Sequence, residues 1–320
     1  MKLALIGYGN VGRALARLIR KKRGLGAFRI TGIHTARHGT AMADNGLLLE
    51  PDFGPPAASI EAFLDAARAD AAVELSTLNP STGEPAISHI RAAFARRMHV
   101  VTANKGPIAH CYADLRDEAA RQGVAFRFES TVMDGAPIYN MARHCLPGVR
   151  VLGFTGVLNS TSKIVVETME QGGTMEDGIA EARRMGIAEA DASFDLEGWD
   201  SACKTAALAN VLMDARTNPM AVSTRGVTRL TPERAAALVC AGKTVRLVSR
   251  ARRNASGIGL RVRAEVLDRH DVLASVHGTS NLLLLHTDLM GTVGTVSIDP
   301  GVEQTAYGVF ADLLEIARSC

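Results

Sequence analysis

The chain has 320 residues, which is long enough for two domains with separate hydrophobic cores. Hydrophobic residues make up 47% of it, as is typical of globular proteins, and 36 Lys and Arg nearly balance 33 Asp and Glu. The net charge of +3 and the aromatic content of 4% argue against a nucleic-acid-binding surface. Since no stretch approaches the ~20 apolar residues of a membrane span, we expect neither a nucleic acid nor a membrane as partner.

Cysteine usage and the N-terminal residues predict a cytoplasmic protein. The five cysteines are scattered without C-x-x-C spacing, which is typical of reduced thiols in the cytosol. Lys2 precedes a short apolar run, but glycines follow Ile6 at once and no cleavage site of small residues comes after them. We therefore expect no signal peptide.

The first 130 residues alternate between strand and helix patterns. Such alternation predicts a Rossmann-type doubly wound α/β domain, in which helices cover a parallel sheet. The predicted strands lie at 2–6, 29–33, 72–75, 99–102 and 126–129, and the predicted helices at 10–22, 59–69, 83–98 and 112–123. Residues 51–57 form a surface loop inside this domain.

The pattern changes near residue 150. Several short β-type runs within 247–276 and 282–298 are separated by Gly, Asn and Asp, which predicts an open sheet with few crossover helices. We therefore expect a second domain of the α+β class. Its further elements are a strand at 151–158 and helices at 162–169, 175–185 and 199–213, and a last helix is predicted at 304–318.

A G-x-G-x-x-G motif follows the first predicted strand and opens the first predicted helix. This context predicts a dinucleotide-binding loop, because Gly7 permits a tight turn and Gly9 lets the backbone approach a pyrophosphate. Gly12 permits close packing of helix on strand. The backbone amides of Asn10 and Val11, at the helix N-terminus, would hold the phosphates.

The end of the second predicted strand bears on the choice between NAD and NADP. An NAD site usually has an acidic residue there to bind the ribose hydroxyls, and this sequence has none. Thr35 and Arg37 stand in its place, and Arg37 suits a 2′-phosphate through charge-assisted hydrogen bonds. We predict NADP, with NAD remaining open. Thr77 and Asn79 follow another strand end and are candidates for contacts with the nicotinamide or its ribose.

Six further motifs occur in a fixed order along the chain. They are ELST (74–77), TGEPA (82–86), VVTANK (100–105), ESTV (129–132), GVLNST (156–161) and GIAEAD (186–191), followed by Asp195, Gly198, Asp200 and Lys204. In this order they resemble the homoserine dehydrogenase family, over roughly residues 1–318. An ordered set of motifs is far more specific than a glycine loop alone.

The resemblance implies an activity and a domain organisation. The family interconverts aspartate 4-semialdehyde and homoserine with NAD(P)H, in threonine, methionine and isoleucine biosynthesis. It implies an NAD(P)-binding domain at 1–130, a catalytic and dimerisation domain at 131–302, and a C-terminal helix at 303–320 that returns to the first domain. We accordingly expect a homodimer.

The resemblance also implies site residues. Lys105, Asp200 and Lys204 correspond to the family's catalytic residues, and Glu189 to its acidic substrate ligand; the GVLNST motif adds Asn159 and Thr161 as substrate-binding candidates. Family members hold a monovalent cation such as Na⁺ through backbone carbonyls. By position these carbonyls belong to Glu129, Val132, Asp134 and Ala136.

The residue types fit the implied chemistry. Hydride transfer to an aldehyde places negative charge on its oxygen, which a nearby lysine stabilises and protonates. Asp200 and Lys204 are spaced i, i+4 and so share one helix face, although an exposed pair of this spacing would be an ordinary surface contact. A substrate with an α-ammonium needs carboxylates, which Glu189 and Asp195 supply. Lys105 follows a predicted strand, at the sheet edge where ligands bind in such domains.

Some positions depart from the family pattern. Ser160 replaces a glycine, Lys163 replaces an asparagine, Ile187 stands where an aromatic residue is common, and a loop at 299–303 has one glycine and two added acids. These departures leave two alternatives open: a related dehydrogenase acting on another small amino or hydroxy aldehyde, and a non-catalytic NAD(P)-binding protein. No regulatory ACT-like domain or fused kinase is expected.

Overall fold

The computed structural model describes residues 1–188 and 191–319, and they divide into two compact units. The first unit comprises Met1–Asn140 and the chain from Gly301 onward, and the second comprises Met141–Pro300. The sequence-based boundaries, after residues 130 and 302, differ from this division by ten residues at the first boundary and by two at the second. Within the described part of the chain, no helix has both the length and the apolar character needed to cross a membrane.

The first unit is built on a six-stranded sheet with the order β3-β2-β1-β4-β5-β6. All neighbouring strands are parallel except β3, which pairs antiparallel with β2. The elements are β1 (Lys2–Ile6), α1 (Asn10–Lys21), β2 (Arg29–Thr35), β3 (Gly39–Met42), α2 (Ile60–Ala67), β4 (Ala71–Glu74), α3 (Ala86–Ala95), β5 (His99–Thr102), α4 (Lys105–Gln122) and β6 (Phe126–Arg127). The predicted Rossmann-type architecture is confirmed.

The second unit contains another six-stranded sheet, with the order β12-β11-β7-β9-β10-β8. Its strands pair antiparallel, except that β8 runs parallel to β10. The elements are β7 (Val151–Val157), α5 (Ser160–Glu170), α6 (Met175–Arg184), α7 (Ser193–Leu196), α8 (Trp199–Met213), β8 (Ser223–Arg225), α9 (Pro232–Cys240), β9 (Lys243–Asn254), β10 (Gly257–Asp268), β11 (Asn281–Thr287) and β12 (Thr292–Ser297). The predicted open α+β sheet is likewise confirmed.

The last helix, α10 (Val302–Ser319), belongs to the first unit and packs on α1. Val309, Phe310 and Leu313 are buried in the same apolar cluster as Leu3 and Leu15. The crossing of α10 over the segment after β6 is close, because a Cβ on Gly135 would lie only 2.0 Å from the Gln304 carbonyl oxygen. The C-terminal helix thus completes the core of the first unit.

Four of these elements were not predicted from the sequence, namely β3, α7, β8 and α9. The four residues of β3 and the three of β8 are too short to carry a periodic pattern, and each is defined by pairing with a longer strand. Helix α9 does carry start signals. Thr231 caps it by accepting a hydrogen bond from the Arg234 N–H, and Pro232 occupies its first position.

Candidate active site

The glycine loop of the first unit has the geometry of an anion-binding turn. Gly7 has a φ of 103°, and a Cβ there would lie 2.4 Å from the Leu75 carbonyl oxygen, so only glycine fits. Gly9, the N-cap of α1, provides no side-chain cap, and a Cβ on it would meet open space. The first amides of α1 therefore face a cradle that fits a pyrophosphate. Asn10 and Val11 are the first two residues of this helix.

The two residues predicted to bind a 2′-phosphate lie at the end of β2 and in the turn to β3. The Thr35 hydroxyl is buried and accepts a hydrogen bond from the His38 N–H at 2.8 Å, so it shapes the turn. Arg37 is exposed at that turn. The Thr35 hydroxyl is therefore engaged within the turn, whereas the Arg37 side chain is accessible to solvent.

The carboxyl ends of β4 and β5 carry the other first-unit candidates. Thr77 is exposed after β4, and the Asn79 side chain accepts hydrogen bonds from the Ser81 and Thr82 amides, at 3.1 and 3.2 Å. Lys105 is the first residue of α4. The preceding Asn104 caps this helix, because its side-chain oxygen accepts a hydrogen bond from the Gly106 N–H at 3.0 Å.

In the second unit, four of the predicted residues form one cluster. The Lys204 Nζ lies 2.9 Å from the Asp200 Oδ2 and donates a hydrogen bond to the Leu158 carbonyl at 2.6 Å. The Asn159 Nδ2 donates to the Asp195 Oδ1 at 2.6 Å and to the Asp200 Oδ2 at 3.0 Å. We call Asn159, Asp195, Asp200 and Lys204 the acid–amide–lysine cluster.

Local structure explains how this cluster is assembled. Asn159 is the N-cap of α5, where its side-chain oxygen accepts from the Ser162 N–H at 2.8 Å, so its amide nitrogen points to the acids. Asp200 and Lys204 lie one turn apart on α8. Asp200 is only 7% exposed, and the pair is therefore largely withdrawn from water. The i, i+4 spacing here produces a buried ion pair rather than a surface one.

The electrostatics of the cluster favour an incoming cation. Burial is the main cause that raises the pKa of Asp195, and the neighbouring Asp200 carboxylate adds to it. Hydrogen bonds from Asn159 and Thr161 and the charge of Lys204 act in the opposite direction. Two carboxylates joined through the Asn159 amide, with one lysine beside Asp200, form a site that an ammonium group would stabilise.

Not all of the acids between residues 189 and 200 belong to the cluster. Glu189 lies outside the described residues. Asp191 is exposed and accepts a hydrogen bond from the Ser193 N–H at 2.9 Å, while Glu197 is exposed and accepts one from the Trp199 indole at 3.2 Å. Of the described acids in this stretch, Asp195 and Asp200 alone reach Asn159.

The segment named for a monovalent cation has irregular backbone. Residues Glu129–Thr131 form a short 3-10 turn, and Asp134 adopts a left-handed φ of 55°. The Glu129 side chain is buried and accepts hydrogen bonds from the amides of Ile138, Tyr139 and Asn140. Backbone carbonyls of such a turn are hard oxygen donors, the ligand type that suits Na⁺.

A second group of buried charges in this unit was not predicted. Lys163 is 2% exposed and donates to the carbonyls of Gly278 and Ser280. Desolvation by burial lowers its pKa to about 7, and the charges of Arg246 and Lys204 act in the same direction. Arg246 in turn lies 3.1 Å from Glu167, one turn further along α5. The sequence marked Lys163 only as an unusual residue, since its partners are distant along the chain.

The glycine turn, the lysine at the start of α4 and the buried Asp200–Lys204 pair are together the features of a dinucleotide-dependent oxidoreductase. The sequence profile of the homoserine dehydrogenase NAD-binding domain matches residues 7–129, and that of the homoserine dehydrogenase domain matches 137–314. The chain belongs to the homoserine dehydrogenase family, whose members are NAD(P)-dependent oxidoreductases acting on a CH–OH group.

Individual relatives resemble the chain over its full length. It is 33% identical to a homoserine dehydrogenase of Methanocaldococcus jannaschii, covering 100% of this chain and 99% of that protein. It is 34% identical to an NAD(+)-dependent homoserine dehydrogenase of Pseudomonas canavaninivorans, covering 99% and 96%. Among solved structures, a hyperthermophilic archaeal homoserine dehydrogenase in complex with NADPH has a TM-score of 0.83 and 26% identity, covering 100% and 98%.

Proposed function

We propose that the chain interconverts aspartate 4-semialdehyde and L-homoserine, with Lys204, Asp200 and Lys105 as its catalytic residues. The observation that carries this proposal is the acid–amide–lysine cluster, in which Lys204 pairs with the buried Asp200 carboxylate and Asn159 joins Asp200 to Asp195. The bound nicotinamide supplies the hydride in reduction and accepts it in oxidation.

Lys204 is oriented to act on the substrate oxygen. An ammonium has three N–H donors. In the described part of the chain two of them go to Asp200 and to the Leu158 carbonyl, which leaves one for an aldehyde oxygen. As that oxygen gains charge during reduction, the ammonium stabilises it and transfers a proton. In oxidation the neutral amine takes the proton back.

Asp195 is suited to the α-ammonium of the substrate. Burial raises its pKa, so an incoming cation replaces lost hydration and favours the carboxylate. Asn159 and Thr161 fix the position of Asp195 by hydrogen bonds. By resemblance to the family, Glu189 is the further acidic ligand.

For the cofactor we propose NADP, with Arg37 as the residue that binds its 2′-phosphate and Thr77 and Asn79 at the nicotinamide ribose. The exposed Arg37 guanidinium and the lack of an acid at the end of β2 support this preference. The NADPH complex of one relative is consistent with it, whereas another relative is named for NAD(+).

In Arg37→Ala we expect kcat/KM for NADP to fall roughly 10- to 100-fold with little change for NAD, because a charge-assisted bond contributes about 1.5–3 kcal/mol. Arg20→Ala, an exposed arginine of α1, is the matched control.

We further propose that the carbonyls of Glu129, Val132, Asp134 and Ala136 hold a monovalent cation. The irregular backbone of this turn and its oxygen donors support the assignment. The cation would fix the turn that precedes the 138–140 amides. Activity measured in Na⁺, K⁺ and a bulky organic cation tests this, and equal rates in all three would contradict it.

A homodimer that pairs through the second sheet is the proposed assembly. A ladder of polar side chains crosses five neighbouring strands of that sheet: Glu265, Arg250, Thr155, His286 and Thr292. It borders a cavity of about 880 Å³ that is also lined by Leu152, Leu260 and Arg252. Arginine and apolar groups side by side are typical of protein interfaces. Sedimentation of the purified chain tests the dimer.

The activity is tested with purified protein and a panel of amino alcohols. We expect L-homoserine to reduce the oxidised dinucleotide, measured by absorbance of reduced nicotinamide, and analogues lacking the α-amino group to react far more slowly, since Asp195 would lose its partner. Absence of turnover with homoserine across a broad pH range would contradict the proposal.

A further inference from the structure

A buried carboxylate lies at the end of β4, outside the groups assigned so far. Glu74 is the last residue of that strand and is 1% exposed. Burying a carboxylate is costly unless it is well hydrogen-bonded. His89 is the basic side chain nearest to it in the described residues, with its Nδ1 3.7 Å from the Glu74 Oε1. An apolar residue could be buried at this position without the desolvation cost of a charged group, so the presence of a carboxylate needs an explanation.

The Glu74 side chain accepts hydrogen bonds from both neighbouring strand ends. Its Oε1 accepts from the Ser76 N–H at 2.9 Å and from the Ser76 hydroxyl. Its Oε2 accepts from the Thr102 hydroxyl, at the end of β5, at 3.0 Å. The two carboxylate oxygens thus connect the chain leaving β4 with the chain leaving β5.

Asn104 closes these contacts into a ring. The Thr102 hydroxyl accepts a hydrogen bond from the Asn104 N–H at 2.9 Å, and the Asn104 Nδ2 donates to the Ser76 carbonyl at 3.2 Å. The same side chain caps α4 through the Gly106 N–H. Lys105 therefore begins α4 directly after a turn that is hydrogen-bonded on both sides.

We propose that Glu74 is a positioning residue for catalysis: its carboxylate fixes the Thr102–Asn104 turn and thereby the place where Lys105 enters α4. The inference rests on the proposed catalytic role of Lys105. Glu74 itself is assigned no contact with substrate or cofactor. By holding Ser76 as well, it sets the start of the segment that carries Thr77 and Asn79.

The role requires a carboxylate rather than an isosteric amide. Three donors converge on the two oxygens of Glu74. Gln offers one oxygen, and its NH2 group would face either the Ser76 donors or the Thr102 hydroxyl. If the NH2 group faces Thr102, the hydroxyl hydrogen of Thr102 loses its acceptor. The ring of hydrogen bonds is then broken between residue 74 and Thr102, the residue that holds the Asn104 N–H.

The first test separates the hydroxyl of Thr102 from its packing. Thr102→Val keeps the shape and removes the hydroxyl, whereas Thr102→Ser keeps the hydroxyl and removes a methyl group. If the ring positions Lys105, we expect kcat to fall roughly 10- to 100-fold in the Val variant, because small misplacements of a catalytic group have effects of that size. The Ser variant should recover most of kcat. Activity that follows thermal stability instead of the hydroxyl would overturn the proposal.

The second test asks whether Glu74 acts through Lys105. The kcat values of Glu74→Gln, Lys105→Ala and the double variant form a cycle, with the dissociation constant of the cofactor measured for each by nicotinamide fluorescence. We expect Glu74→Gln to lower kcat roughly tenfold or more in the natural background and to have almost no further effect once Lys105 is removed. Cofactor affinity should change much less than kcat.

The outcomes distinguish this inference from the function on which it rests. Additive effects in the cycle would overturn the positioning role while leaving Lys105 catalytic. Full activity in Lys105→Ala would overturn both the catalytic role of Lys105 and the positioning role of Glu74, because Glu74 is proposed to act through Lys105. A fall in cofactor affinity equal to the fall in kcat would mean that Glu74 serves the dinucleotide-binding segment instead.

Discussion

The two units of the molecule handle buried charge in different ways. In the first unit, Glu74 and Glu129 are buried and accept hydrogen bonds from backbone amides, with hydroxyls added at Glu74. In the second, Asp200 faces Lys204 and Glu167 faces Arg246. Carboxylates of the first kind fix backbone, whereas those of the second kind pair with a lysine or arginine side chain. The dinucleotide loop belongs to the first unit, and the acid–amide–lysine cluster belongs to the second.

The largest effect is expected from removing the lysine of the cluster. Lys204→Ala should lower kcat roughly 100- to 10,000-fold, the usual range for a general acid, because its ammonium is the group held between Asp200 and Leu158. Cofactor affinity, which depends on the first unit, should stay nearly unchanged. Steady-state kinetics and fluorescence titration measure the two. Lys243→Ala, at an exposed lysine, is the control, and a normal kcat in Lys204→Ala would exclude Lys204 from the mechanism.

A smaller effect, confined to substrate binding, is expected at the neighbouring acid. Asp195→Asn removes the charge proposed to meet the substrate ammonium, so KM for homoserine should rise roughly 10- to 100-fold, the size of a lost charge-assisted bond. Initial rates over a range of homoserine concentrations measure it. Glu197→Gln changes an exposed acid of the same segment and should leave KM unaltered. Equal KM values in the two variants would remove Asp195 from the substrate site.

The buried lysine of the second unit should affect stability in a pH-dependent way. Burial lowers the pKa of Lys163 to about 7, so between about pH 7 and 10 the unfolded chain carries a proton that the folded chain has released. Stability relative to Lys163→Met should therefore rise with pH across that window, by a few kcal/mol at about 1.4 kcal/mol per pKa unit. Urea unfolding at several pH values measures this difference, and a pH-independent difference would contradict it.

The first unit offers the opposite sign at a buried acid. Burial is the main cause that raises the pKa of Asp312 on α10 to about 7, and the nearby Glu129 carboxylate adds to it. Between about pH 4 and 7 the folded chain keeps a proton that the unfolded chain has lost, so stability relative to Asp312→Asn should fall as pH rises. Asp312 accepts a hydrogen bond from the Glu129 N–H that an amide oxygen can also accept, so Asp312→Asn should change stability least at low pH. Unfolding at pH 5 and pH 8 measures it, and a rising difference would contradict the sign.

The sequence predicted those parts of the site that follow from local patterns. Gly7 was predicted from the G-x-G-x-x-G spacing of neighbouring residues, and Asp200 and Lys204 are joined by helix spacing. The Glu74 ring joins two pairs of residues that lie 28 positions apart along the chain, and the partners of Lys163 are 115 and 117 positions away. No local pattern reveals such contacts, because they depend on strand order and on the loop that precedes β11. The short strand β3 was missed because its four residues are too few to carry a periodic pattern.

The central claim is hydride transfer between a nicotinamide and the carbon that bears the hydroxyl group of homoserine. It is tested most directly with L-homoserine deuterated on that carbon, incubated with the enzyme and oxidised NADP, followed by mass spectrometry of the nicotinamide product. We expect one deuterium in the reduced nicotinamide ring and its loss from the carbonyl product. Reduced nicotinamide without the label, or no reduction at all, would contradict it.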